Sequence, residues 1–312
     1  MTRLWFAAGL VAASLVPTWP PAFAQSRSPF AGRWDIVVTA GNQTYPDWME
    51  LTEKDGAPQV RVQPRTGSVR PVKIVALEGN RLTLQLSAAN AKRPETTWEL
   101  TASGGKISGS EKHGDAATAQ LAGVRAPELK RDAPKAWSNP EPLFNGKDLS
   151  GWVPDDASKN HWEAQDGVLV NVEKGANLET TRKFQDFKLH LELNCPEGGN
   201  SGVYLRGRYE IQVAYEKVRD TFQIMGSIYG MLAPSVELPR KPGEWETLDV
   251  TLVGRWVTLN RDGVTVIDHQ EIAGITGGAL DANEAEPGPF YIQGDHTGGM
   301  KYRNITIAVP KK

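Results

Sequence analysis

"SGVYLRGRYEIQV", residues 201–213, alternates apolar and polar residues on both sides of a central Arg-Gly-Arg. Successive side chains of an extended strand point to opposite faces. Val203 and Leu205, then Ile211 and Val213, therefore share one face. Tyr204, Arg206, Glu210 and Gln212 share the other. Half-buried sheets usually carry Thr, Ser and Lys on their wet side. This one gathers a phenol, a guanidinium, a carboxylate and an amide. The stretch reads as two short strands joined by a turn.

The same period of two recurs along the chain. "FKLHLELN" (187–194), "RYEIQVAYE" (208–216), "WETLDVTLVGRWVTLNRDGVTVIDHQ" (245–270) and "YRNITIAV" (302–309) all read as strands. "LEGNRLTLQL" (77–86) and "LNRDGVTVID" (259–268) place Gly-Asn and Asp-Gly between alternating runs, a strong hairpin signal. No long amphipathic helix competes with them, so the pattern predicts an all-β chain. A break falls at residues 125–142, "RAPELKRDAPKAWSNPEP", with four prolines and no periodicity. It reads as an extended linker. Residues 29–124 before it predict a small β barrel or sandwich, and Gly32-x-Trp34 resembles the opening strand of lipocalin-like barrels. Trp34, Trp48 and Trp98 are expected in a core, where large aromatics usually lie. Residues 143–309 after the linker predict two stacked sheets.

The 312 residues carry 35 basic and 37 acidic side chains. Residues 1–24 have the features of a secretory signal: Arg3, the apolar run "LWFAAGLVAASLV" and "AFA" before Gln25. The run is too short and too flanked by proline to favour a membrane span. Cleavage there would leave 34 basic against 37 acidic residues, a net charge of −3. That balance is no footprint for nucleic acid or an anionic membrane. Cys195 is the single cysteine, so no internal disulfide can form. The sequons at Asn42 and Asn304 read as chance matches in an exported bacterial chain. A periplasmic or secreted protein is expected.

Parity extends the polar face. Lys188, His190, Glu192 and Asn194 alternate with the apolar residues of 187–193, and Tyr291, Gln293 and Asp295 alternate with Phe290 and Ile292. If these strands are neighbours, their carboxylates, amides, guanidinium and aromatic rings form a carbohydrate-like site. The plainer alternative is a wet face with ion pairs such as Arg206 with Glu210 or Glu192, which contribute little. Gly-rich loops, "EGGNSG" (197–202) and "GDHTGG" (294–299), flank the strands without the features of a phosphate loop. His296 beside Asp295 is placed to act as a base, and His190 shares a face with Glu192. No HxH, HExxH or GxSxG pattern occurs. Glu192, Glu210 and Asp295 could hold a divalent cation, though their spacing is no metal fingerprint.

"LFNGKDLSGW" (143–152), "WEAQDGVL" (162–169), "GGNSGVYLRGRYEIQV" (198–213), "GSIYGMLAPS" (226–235), "KPGEWETLDVTLVG" (241–254) and "GPFYIQGDH" (288–296) occur in that order. Together they resemble the bacterial 3-keto-disaccharide hydrolase family over about residues 141–309. One departure is Gly294, an extra residue before Asp295 and His296. The resemblance implies a jelly-roll β sandwich of the concanavalin and glucanase type. It also implies cleavage of glycosides already oxidised at C3 of the sugar. There a base removes the C2 proton, the aglycone leaves C1, and water adds. On that reading His296 or Glu192 is the base and Arg206 stabilises the enolate. Glu210, Gln212 and Gln293 orient hydroxyls or hold a cation, Tyr204 and Asp295 join the same surface, and Tyr229 and Trp162 are candidate walls, with core packing the favoured reading for Trp162. The alternative is a non-catalytic, lectin-like carbohydrate-binding protein, since the fold serves either purpose.

Overall fold

The computed structural model describes residues 28–88 and 94–311. The expected leader lies outside them. Strands β1 (Gly32–Ala40), β2 (Gln43–Lys54), β3 (Ala57–Gln63) and β4 (Arg70–Glu78) are followed by β5 (Arg81–Leu86), β6 (Thr96–Ser103), β7 (Lys106–His113) and β8 (Ala116–Arg125). They pair antiparallel in chain order, and β8 closes on β1 to form a barrel. Alternation fills its interior with Trp34, Ile36, Val38, Met49, Val62, Leu84 and Trp98. Gly79 and Asn80 make the expected turn between β4 and β5. Trp48 has the opposite parity to Met49. It is buried outside the barrel, against Ile275 and Ala279.

The segment after β8 is extended, as its prolines require, and it is tied down. Ser138 N–H donates to the Val309 carbonyl at 2.8 Å, and Lys311 N–H to that of Ala136 at 2.9 Å. Strand β9 (Glu141–Pro142) pairs with the last strand of the chain. Then come β10 (Trp152–Pro154), β11 (Trp162–Gln165), β12 (Val168–Asn171), β13 (Leu178–Thr180) and β14 (Phe187–Asn194). The "SGVYLRGRYEIQV" pair is β15 (Asn200–Leu205) and β16 (Tyr209–Ala214). They precede β17 (Trp245–Val253), β18 (Trp256–Arg261), β19 (Val264–Glu271), β20 (Tyr291–Ile292) and β21 (Met300–Ala308).

Two antiparallel sheets result. One has the order β10-β13-β20-β15-β16. The other runs β11-β12-β21-β14-β17-β18-β19, with β9 beside β21. The apolar faces meet: Phe187, Leu189, Leu191 and Leu193 of β14 pack in one core with Val203, Leu205, Ile211, Val213 and Ile292 of the opposite sheet. This is the all-β sandwich preceded by a small β domain that the sequence predicts. Its topology corrects one expectation. Strand β14 pairs with β17 and β21, not with β15, β16 or β20. Its polar residues therefore face away from those of β15, β16 and β20, across the thickness of the sandwich.

The barrel docks on the outer face of the five-stranded sheet. Arg33, paired with Glu50 of the barrel at 2.9 Å, also reaches Glu271 of β19, at the edge of the eight-stranded sheet, at 2.6 Å. Val69 N–H donates to the Gly230 carbonyl, and Gly278 N–H to that of Arg65, both at 2.9 Å. This covering buries polar side chains that a free sheet would leave wet.

Candidate functional site

Between barrel and sandwich lies a cleft of about 590 Å³, in the range of about 300–1,000 Å³ usual for small-molecule sites. Its floor is the polar face of β15, β16 and β20. Tyr204, Glu210, Gln212, Tyr229, Gln293, Asp295 and His296 all line it. Seven residues expected from the sequence thus converge on one cleft.

Three do not. Glu192 lies on the outer face of the eight-stranded sheet, where its carboxylate accepts from Arg303 Nε at 2.7 Å and from the Asn304 amide. His190 is on that same outer face, 2.7 Å from Asp249. Arg206 follows the end of β15 with φ of +56°. That left-handed turn breaks the alternation and sends the guanidinium into a buried network. It donates to the Gly254 carbonyl at 2.8 Å and to the Tyr209 hydroxyl at 2.9 Å. Tyr209 in turn donates to Glu284 at 2.7 Å, and Glu284 is paired with Arg255. Trp162 belongs to the sandwich core, its indole N–H donating to the Ala176 carbonyl at 2.8 Å. Glu192 and Arg206 therefore leave the catalytic set, and Trp162 leaves the walls.

The floor is built tightly. Tyr204 and Glu210 are opposite each other in the β15–β16 register. The Tyr204 hydroxyl lies 2.8 Å from Glu210 Oε2 and 2.9 Å from the Gly277 carbonyl, and it accepts from Gln293 Nε2 at 3.0 Å. Gly202 makes room: a Cβ there would lie 2.2 Å from Glu210 Oε1. Burial pushes the Glu210 carboxyl up to about 8, opposed by the Tyr204 hydrogen bond and reinforced by the charge of Asp295. A protonated Glu210 also completes the local count. It donates to Tyr204, Tyr204 donates to Gly277, and Gln293 fills the second lone pair of the phenol. Gln212 Oε1 and Gln293 Oε1 are buried acceptors without a partner, on side chains that line this cleft. A buried acceptor left in that state costs free energy that a ligand hydroxyl would offset.

At the rim, His296 Nδ1 lies 2.7 Å from Asp295 Oδ1. Burial raises the Asp295 carboxyl, but the hydrogen bond and charge of His296 outweigh it and hold the group below its ordinary value. Asp295 is therefore a carboxylate that accepts Nδ1–H and leaves Nε2 as the basic nitrogen. Asn177 fixes this loop, its Oδ1 accepting from Gly294 N–H at 2.9 Å and Asp295 N–H at 3.2 Å. Gly294, the extra residue, sits where a Cβ would come 2.1 Å from the Ala176 carbonyl. It passes the backbone close to the loop before β13 and still delivers Asp295 and His296 to the cleft.

The residues do not fit the divalent cation considered above. Glu192 is on the far side of the sandwich from Glu210 and Asp295, and Asp295 is engaged by His296. No group of three or more His, Cys, Asp or Glu placed to hold a metal occurs among the described residues. Sequence reasoning missed Asn177, Asn200, Glu216 and Gln223 of the sandwich, and every lining residue of the barrel. Asn200 stood in the flagged "EGGNSG" loop. The others carried no local signal.

A β sandwich whose outer sheet presents amides, carboxyls and phenols in a covered cleft has the build of a carbohydrate-active domain. Residues 139–308 match the family described as the 3-keto-alpha-glucoside-1,2-lyase-like domain, and the chain belongs to that family. A curated relative, the 3-keto-disaccharide hydrolase of Bacteroides thetaiotaomicron, is 28% identical over 98 residues, covering 28% of this chain and 32% of the relative. The matched stretch spans about a third of that relative's length. A crystal structure from Parabacteroides distasonis, provisionally described as a glycosyl hydrolase, is 30% identical with a TM-score of 0.49, over 58% of this chain and 93% of that one. A second from the same organism is 19% identical with a TM-score of 0.46, over 54% and 92%.

Proposed function

We propose that the protein cleaves 3-keto-glycosides, acting outside the cytoplasm if residues 1–24 are the leader they resemble. The family membership and the description of the Bacteroides relative support the substrate class. The observation that carries the chemistry is the pairing of a buried, protonated Glu210 with a His296–Asp295 couple in one cleft.

A ketone at C3 acidifies the C2 proton. His296 Nε2 takes that proton, with Asp295 holding the imidazole and stabilising its charge. Negative charge develops on the C3 oxygen, where a carboxylic acid kept neutral by burial can donate a hydrogen bond. Glu210 fills that role, assigned to Arg206 on the sequence reading: its O–H turns from Tyr204 to the C3 oxygen, and Tyr204 turns its own hydroxyl hydrogen to Glu210 Oε2. The electron pair from C2–H then forms C1=C2 and expels the aglycone oxygen, which takes the proton from His296. Water adds to C1 of the enone, losing a proton to His296, and C2 regains one. The sum is hydrolysis. Gln212 and Gln293 accept hydrogen bonds from sugar hydroxyls, and Tyr204 and Tyr291, 4.6 Å apart, wall the ring.

The test compares a 3-keto-glucoside with the same glucoside unoxidised. Aglycone release from the keto sugar only is expected. Binding of both with turnover of neither would leave a lectin and overturn the proposal.

A further inference from the structure

The barrel takes no part in the family match, which begins at residue 139. It nonetheless supplies one side of the cleft. Tyr45 and Pro46 come from β2, and Arg65 and Thr66 from the β3–β4 loop. That loop is held in place. Its Arg65 carbonyl and Val69 N–H bond to the sandwich backbone, and the Gln63 amide donates to the Gly67 carbonyl at 2.7 Å. Gly230 and Gly277 let the two backbones meet. A Cβ at Gly230 would lie 2.7 Å from Ser68 Cα, and one at Gly277 would lie 3.1 Å from Thr66 Cα. Trp48, buried against Ile275 and Ala279, anchors the barrel beside them.

The two sides of the cleft differ in chemistry. The sandwich floor offers acceptors suited to hydroxyls. The barrel side offers Arg65, whose guanidinium lies 4.6 Å from the centroid of the Tyr45 ring and donates to Gln43 Oε1 at 2.9 Å. Pro46 adds apolar surface on that side, and Ala279 and Leu280 add it from the sandwich. A guanidinium stacked on a phenol is flat, cationic and weakly hydrated, and it pairs well with the face of another aromatic ring.

We propose that the barrel is the leaving-group subsite, and that Tyr45 and Arg65 select glycosides with a planar aromatic aglycone. This rests on the reading of the sandwich floor as the sugar site. The experiment uses the full chain, as wild type and as Arg65→Ala, Arg65→Lys and Tyr45→Ala. The substrates are 4-nitrophenyl and methyl 3-keto-glucosides, both anomers of each. For the aryl substrate, kcat/KM should fall on the order of five- to tenfold in all three variants, mostly through KM. For the methyl substrate it should stay within about twofold in all three, because a methyl aglycone has no ring face to stack on the guanidinium; Arg65→Lys keeps the charge and loses only the plane. Equal losses on both substrates, or none, would overturn the proposal. A second arm measures calorimetric binding of the unoxidised 4-nitrophenyl and methyl glucosides, which do not react. Aryl-selective binding lost in the variants supports the subsite even if no keto sugar is turned over, an outcome that would sink only the catalytic reading. No aryl preference in the wild type overturns the subsite alone.

Discussion

Replacing Glu210 by Gln removes a titrating proton from the floor of the cleft while keeping its shape, and the consequence for stability can be worked out. The free carboxyl loses its proton near 4.5, whereas in the fold it holds on to about 8. Below 4.5 both folded and unfolded chains are protonated and the group costs nothing. Between 4.5 and 8 the unfolded chain has lost a proton that the folded chain retains. Stability therefore falls as pH rises through that window, by about 1.4 kcal/mol per pH unit. The full loss approaches about 5 kcal/mol at pH 8. Glu210→Gln carries no such cost. It should match the wild type to within about 1 kcal/mol at pH 5, the scale of one hydrogen bond, and exceed it by several kcal/mol at pH 8. Burial and neighbouring Glu284 also push Asp35 up to about 8, but both proteins retain it, so the difference between them isolates Glu210. Urea unfolding followed by tryptophan fluorescence at pH 5, 6, 7 and 8 measures that difference. A gap between the two proteins that stays flat across the series would refute the buried, protonated carboxyl.

The other expectations concern rate and structure. His296→Asn should lower kcat/KM on a 3-keto-glucoside by about 10²–10⁴-fold, the usual worth of a general base, with its melting temperature unchanged because the side chain sits at the rim. Asp295→Asn should cost less, since it orients the imidazole and does not take the proton. The wild-type rate should decline as pH rises past about 8, where Glu210 ionises, and Glu210→Gln should be slow but lack that decline, as initial rates from pH 6 to 9.5 would show. Arg206→Ala should lose on the order of 3 kcal/mol in urea, because it unpairs a buried polar network. Glu192→Ala should leave kcat/KM within about twofold and change stability by less than about 1 kcal/mol, as exposed pairs do.

Alternation made much of this legible. The parity of 203–205, 210–213 and 290–293 places Tyr204, Glu210, Gln212, Tyr291 and Gln293 on one face, where the structure has them. The Asp262–Gly263 turn, with φ of +50° and +76°, is the hairpin its dipeptide signalled. Parity fails in two identifiable ways. It gives the face of a residue within a strand but not the sheet the strand joins, so it groups Glu192 with Glu210 although β14 belongs to the other sheet. It also assumes unbroken extension, and Arg206 at positive φ violates that. Burial of the polar face had no sequence signature. It follows from docking of the barrel, which depends on Gly230 and Gly277 accepting the β3–β4 loop, and in sequence those glycines look like ordinary turn residues. Trp48 shows the same limit. It read correctly as buried, yet its partners are Ile275 and Ala279, far away in the chain.

The central claim is that His296 removes a proton from C2 of a keto sugar. The direct measurement is deuterium incorporation, followed by NMR, when a methyl 3-keto-glucoside is incubated in D₂O with the wild type and with His296→Asn. Enzyme-dependent deuterium at C2 with the wild type, above the background exchange of the ketone and lost in the variant, is the predicted result. Aglycone release without C2 exchange, or equal exchange by both proteins, would contradict it.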